Sequence, residues 1–179
     1  MKGAIFAGFS EFVELEFGLT TWLQVVENCN LPSNGEYLTP EIYDDAEFVA
    51  LASELSTLVN VAPEDLYRRF GQFFFPVLMG IAFKHIEHID NLFDFLIAVD
   101  NIIHIEVKKA DPLAFTPTLL YDKPQDNVLV FLYVSHRKMC HFAEGLILGA
   151  ADHYNQTVSL SQSLCLCKGD EHCLIRIEA

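Results

Sequence analysis

Over roughly the first 110 residues the apolar positions recur at spacings of three and four, and beyond them they alternate. The first pattern predicts helices and the second predicts strands. Residues 1–18 place Ile5, Phe9, Phe12 and Phe17 near one stripe, an amphipathic helix that Gly18 can end, and residues 19–26 begin a second helix. Breakers fill residues 30–40. Asp44 or Asp45 then caps a helix reaching about residue 58. Pro63 opens another, which carries Leu66, Phe70, Phe73 and Phe74 and is expected to bend or stop near Pro76.

Asp90 and Asn91 cap the next helix. Leu92, Leu96, Val99 and Ile103 make one apolar face, while Phe93, Ile97 and His104 fall on an adjoining one. A helix apolar over so wide an arc is buried on two sides, so His104 faces an interior. A core histidine is commonly just hydrogen-bonded; a neutral imidazole there is also a metal ligand. Residues 112–121 and 128–133 then read as two antiparallel strands joined by a polar turn at 122–127. A helix over about 138–154 follows, with Gly145 and Gly149 where another element can pack closely. Residues 158–166 and 173–178 close the chain as a second strand pair. The expected fold class is α+β in a single domain, 1–179. A helical lobe (1–60) is followed by a lobe (61–179) with a mostly antiparallel sheet and a packed helix.

Composition sharpens this reading. Apolar residues make up 51% of the chain and phenylalanine alone supplies 15, enough for a core and an apolar pocket. The formal charge of -14 argues against nucleic acid and anionic membranes as partners. Glu11, Glu14 and Glu16 interrupt the early apolar residues, so no secretory leader is read, and no apolar run is long enough to span a membrane. A cytoplasmic location is expected. Four of the five cysteines fall in the last 40 residues, a clustering that there favours a metal or reactive thiols over disulfides.

Tyr133, Ser135 and Arg137 follow an alternating run at spacing two, so in an extended segment they point to one side, and His136 points away. A phenol, a hydroxyl and a guanidinium fork suit a carboxylate or phosphate. Taken alone the pattern also fits an ordinary half-buried strand end. With His104 about thirty residues upstream, the order resembles the haem nitric-oxide/oxygen-binding (H-NOX) family, the haem domains of soluble guanylate cyclases and bacterial gas sensors. The resemblance covers essentially the whole chain, from Met1-Lys2-Gly3 through His104, Pro117 and Tyr133-Ser135-Arg137 to the sheet-rich end.

The resemblance implies a haem b buried between the lobes. His104 would ligate a five-coordinate ferrous iron, Tyr133, Ser135 and Arg137 would hold the propionates, and Pro117 would press on the porphyrin. Oxygen-binding members carry a tyrosine five residues beyond the clamp arginine; here that position is Phe142, and the accompanying distal positions are Phe9 and Phe74, with Ile5 beside them. Phenylalanine cannot donate a hydrogen bond, so the pocket reads as one for nitric oxide (and carbon monoxide) that rejects oxygen. The same phenylalanines are equally compatible with plain core packing.

Cys140, Cys165, Cys167 and Cys173 are in type and number a tetrahedral zinc set, similar to a cysteine cluster in a subset of bacterial H-NOX proteins. Buried free thiols and disulfides are the alternatives. His141, His153 and His172 lie nearby as substitutes for a thiol, and Cys29 is left over. No Ser-His-Asp set, carboxylate pair, glycine-rich phosphate loop or kinase or cyclase motif is visible, and no polar distal group supports a peroxidase. The chain reads as a stand-alone bacterial nitric-oxide sensor, not an enzyme. By resemblance it would signal to a histidine kinase or a cyclic-di-GMP enzyme. The rival reading is a thiol/zinc redox sensor of the same kind of partner in which haem is secondary.

Overall fold

The computed structural model describes residues 1–179 apart from Leu113 and the side chains of Phe83 and Ala110. Helices α1 (Gly3–Phe17) and α2 (Leu19–Cys29) are separated by Gly18, whose φ of 93° is one that few side chains tolerate. Asp44, rather than Asp45, caps α3 (Asp45–Val59): its carboxylate accepts the Ala46 N–H at 2.9 Å. Pro63 sits in the first turn of α4 (Pro63–Ile86), where a missing N–H costs nothing. The helix expected to bend or stop at Pro76 runs ten residues past it. A proline there forfeits the bond to the Gln72 carbonyl, but tertiary packing holds the helix. The neighbouring helix α7 (Cys140–His153) lies so close that a Cβ at Gly149 would touch that same carbonyl at 3.1 Å.

Asn91 caps α5 (Leu92–Ala98), accepting the Asp94 N–H at 3.0 Å. The single helix expected over 90–109 is divided by a π-helical turn, Val99–Ile103, before α6 (His104–Ala110). Four antiparallel strands, β1 (Thr118–Gln125), β2 (Val128–Val134), β3 (Ser159–Leu164) and β4 (Cys173–Glu178), form one sheet in the order β1-β2-β4-β3. The two expected strand pairs are thus joined through β2 and β4. The first strand begins at Thr118, not residue 112, because Pro112 and Pro117 offer no N–H to a ladder; Leu113 lies outside the described residues. It continues to Gln125 through Pro124, which an edge strand tolerates. Among the described residues, seven α-helices with this sheet make the fold α+β.

Two cores result. One gathers Phe6, Phe9, Phe12, Phe48, Phe70 and Phe74, all under 2% or at 2% exposure, with Phe142 from α7. The other lies between α4, α5, α7 and the sheet, around Leu92, Leu96, Leu129 and Ile175. The expected lobe boundary at 60/61 falls just before α4, a helix that contributes to both cores.

Candidate functional site

A cavity of about 680 Å3 opens in the second core. The sheet supplies one wall through residues paired across strands: Leu119 with Tyr133, and Phe131 with Ile175. Alternation sends these four to the same face. Helices α4 and α7 supply Phe75, Leu78, Met79, Ala143 and Leu146, and Val99, Ile103 and His104 come from the π turn and α6.

The π turn decides how His104 is presented. The His104 N–H donates to the carbonyl of Val99, five residues back, so these two residues share a face that a regular α-helix would turn about 140° apart. The His104 side chain is 15% exposed. Its Nδ1 lies 3.1 Å from Asp100 Oδ1. Burial pushes the imidazole below its ordinary 6.5, outweighing the pull of Asp100 in the other direction. The neutral ring with its proton on Nδ1 keeps its lone pair on Nε2, the form a metal needs.

Of the other expected site residues, Pro117 and Tyr133 line the cavity with His104. Tyr133 is 4% exposed, and burial pushes its phenol up to about 12, so it stays a hydrogen-bond donor. Ser135 is buried just beyond β2, and its hydroxyl accepts the Arg137 N–H at 3.2 Å. Arg137 stands in the turn past the strand, so the turn rather than alternation aims it. Its Nε donates to Asp45 Oδ2 at 2.7 Å, its Nη1 to the Phe115 carbonyl at 3.3 Å, and its guanidinium covers the Phe115 ring. Burial alone would raise the Asp45 carboxyl; Arg137 and the amino-terminal ammonium outweigh it and hold it below its ordinary range. His136 is exposed. Ser135 and Arg137 are not in the cavity wall, nor are Ile5, Phe9, Phe74 and Phe142. Phe9, Phe74 and Phe142 pack in the first core, where the Phe70 and Phe142 ring centroids are 5.1 Å apart, and Ile5 is half-buried against it.

The cysteines gather where α7 starts. Cys140 Sγ lies 3.4 Å from Cys167 Sγ and 3.6 Å from Cys165 Sγ. The group whose donor atoms all fall within 4.8 Å of one another is Cys140, His141, Cys165 and Cys167. Cys173 is fully buried and its Sγ accepts the Leu166 N–H at 3.2 Å. Cys29, at the end of α2, is not in this group, and all five are free thiols. Burial pushes Cys140, Cys167 and Cys173 up, while Cys165 is held down against burial by backbone N–H groups and the Cys140 thiol.

Residues 2–162 match the family described as haem-NO-binding (HNOB). The chain belongs to the haem-NO-binding family. This is a family of gas-sensing haem domains that bind nitric oxide and related gases and signal to partners, rather than catalysts. Among haem-NO-binding structures, a K. algicida H-NOX protein, the A71G mutant in its Fe(II) unliganded state, is 29% identical at a TM-score of 0.91 over 99% of this chain and 96% of that one. An S. oneidensis H-NOX protein in the Fe(II)NO state is 28% identical at a TM-score of 0.91, covering 99% and 98%. Soluble guanylate cyclase 89Db of Drosophila melanogaster is 26% identical over 141 residues, 76% of this chain and 20% of that protein. Soluble guanylate cyclase gcy-34 of Caenorhabditis elegans is 22% identical over 89% of this chain and 24% of that protein. The chain therefore spans about a fifth to a quarter of these curated relatives.

The cavity of this haem-NO-binding chain fits its cofactor on its own terms. Haem is flat and apolar with an edge of carboxylates, and the chamber offers greasy walls, the neutral imidazole of His104 and the Tyr133 phenol. A chamber of about 680 Å3 with such walls is of the size that takes a ligand. Two partners escaped the sequence reading, Asp45 and Asp100. Asp100 is visible in retrospect as a residue four before His104; Asp45, 92 residues from Arg137, has no local signal. No helix among the described residues is long and apolar enough to cross a membrane.

Proposed function

We propose that the chain is a cytoplasmic nitric-oxide sensor in which His104 Nε2 ligates the iron of haem b and Tyr133, Ser135 and Arg137 receive the propionates. The observation that carries this is a large apolar chamber with a neutral imidazole in its wall, its Nδ1 already engaged by Asp100. Bound haem would supply a ferrous centre able to take a diatomic gas. Pro117 abuts the chamber, and Arg137 reaches a propionate by sharing or exchanging its Asp45 partner. The wall from Phe75, Leu78, Ala143 and Leu146 carries no hydrogen-bond donor, which favours nitric oxide and carbon monoxide over oxygen. Ile5, Phe9, Phe74 and Phe142 back that wall as an apolar layer without donors of their own. The expected spectrum of the reduced protein changes with nitric oxide and stays unchanged in air; a stable oxygen complex in air overturns the gas assignment.

The same reading includes one zinc on the cysteine group, from Cys140, Cys165, Cys167 and Cys173, supported by Cys140 Sγ lying 3.4 Å from Cys167 Sγ and 3.6 Å from Cys165 Sγ. The output is a separate bacterial partner, a histidine kinase or a cyclic-di-GMP enzyme. In a reconstituted kinase assay, nitric oxide changes partner activity with wild type and not with haem-free His104→Gly. Control that survives in that variant and responds to thiol oxidants favours the second reading, a thiol/zinc redox sensor. The Cys167 thiol, exposed beside buried Cys140, is the feature that speaks for it.

A further inference from the structure

The chamber is not sealed on every side. Where the sheet and α5 line it, Phe131, Tyr133, Ile175 and Leu96 are all buried. Exposure is confined to another edge. Among the described residues, the lining side chains that stand out in solvent are Ile81 and Lys84, from the last two turns of α4, and Val107 and Lys109, from α6. Ile81 is 63% exposed, so this edge is apolar as well as open. It is the mouth of the chamber.

The charges at this mouth run against those of the rest of the chain. The fixed charges in the chamber lining are Lys84, Lys109 and Glu106, with His85 beside them. Two ammonium groups to one carboxylate is a positive balance, in a chain with 25 carboxylates to 11 lysines and arginines. Glu106 Oε1 accepts from Lys109 Nζ at 2.7 Å, and Lys109, His85 and Lys84 together hold its carboxyl below its ordinary 4.5. One carboxylate thus feels cations from both helices, so α4 and α6 bring their positive groups to one place. The propionate clamp of Tyr133, Ser135 and Arg137 uses none of them. Haem in water is a flat apolar body with two carboxylates on one edge, and it meets a protein of formal charge -14, whose overall field repels it. A low-dielectric cleft rimmed by the opposite sign focuses a local attraction and raises association rates by about 10–10³-fold. Bare apolar side chains beside ammonium groups suit both parts of that molecule.

We propose that the edge formed by Ile81 and Lys84 of α4 with Val107 and Lys109 of α6 is the port through which haem enters, Lys84 and Lys109 steering its carboxylates in. This rests on the haem reading above and adds residues for uptake to those for retention. A rim charge acts on the approach rather than on the seated complex, so it sets how fast haem arrives and not how long it stays.

The test follows stopped-flow uptake of monomeric carbonyl ferrous haem by the full haem-free chain, and loss of haem from the loaded chain to apomyoglobin. Salt dependence on wild type comes first. If the overall charge governed, screening the repulsion would speed uptake. Steering by the mouth instead slows it about tenfold between about 0.01 M ionic strength, where charges reach about 30 Å, and about 1 M, where they reach about 3 Å. Lys84→Glu with Lys109→Glu should take up haem about tenfold more slowly at low salt and converge on wild type at high salt. It should end with the wild-type spectrum and the wild-type rate of haem loss. Lys123→Glu with Arg176→Glu makes the same change in total charge on strands β1 and β4, and should stay within about threefold of wild type. Uptake that quickens with salt, or that both double variants slow equally, overturns the port. A loss rate that rises as uptake slows makes the lysines holders of haem and overturns steering. The salt series is read on wild type, so the result does not depend on a variant that folds. A wild type that takes up no haem overturns the haem reading and the port with it.

Discussion

The two cores share helix α4 and a richness in large apolar side chains, yet one is filled and the other encloses a chamber. In the first, phenylalanine rings close on one another edge-on and tilted, as Phe9 does on Phe70 with centroids 5.2 Å apart at 82°. Flat rings with few rotamers leave little room once interlocked. In the second, a hydrogen-bonded sheet holds one wall, and α4 and α7, tied by touching glycine backbones, hold the other. Walls fixed by backbone cannot collapse inward to close a gap. The ligand chamber is kept open by main-chain constraints, while the aromatic core beside it supplies stability.

The largest effect expected on this contrast is at His104. His104→Gly should empty the chamber of haem unless imidazole is supplied, and should leave the thermal unfolding of the haem-free protein nearly unchanged. His85→Gly, at another imidazole in the cavity wall, should keep the wild-type haem spectrum. If His85→Gly abolishes it instead, the ligand is misassigned.

Next comes a matched pair on α4. Phe70→Ala in the filled core should cost about 3–5 kcal/mol in denaturant unfolding. Phe75→Ala, which only enlarges an existing chamber, should cost less in the haem-free protein and weaken haem retention. Equal costs would show that the chamber closes up in solution.

Arg137→Ala should weaken haem binding by about 1.5–3 kcal/mol, the range for hydrogen bonds to a charged group. Competition with apomyoglobin for haem measures it, and an unchanged transfer rate removes Arg137 from the clamp.

The smallest effect concerns Asp45, which joins the first lobe to Arg137. Its carboxyl is held below its ordinary 3.8, so its contribution to stability is complete above that pH and disappears as the pH falls through the lower folded value. Asp45→Asn should cost a few tenths to about 1 kcal/mol at neutral pH, because the group is a third exposed, and progressively less as acid protonates the wild-type carboxyl. A cost that persists in acid would be steric rather than electrostatic.

Local spacing by itself determined most of this molecule. Helices with their caps, the alternating strands, an interior His104 and the cysteine cluster are all legible because neighbours three or four apart, or two apart, share a face. Even Tyr133 and His104 meeting in one chamber followed from a resemblance carried by short spacings. Tertiary structure alone decided three things. It carried α4 through Pro76 by packing α7 against it, where propensity would have broken the helix. It introduced the π turn that swings His104 onto the face of Val99, a rotation invisible to a 3.6-residue period. It also chose the partners of buried charge: Asp45 for Arg137, and Glu144 for both Arg68 and His141. Ion pairs 92 and 76 residues apart leave no periodic trace, because they are set by desolvation in the folded chain and not by the chain's local geometry.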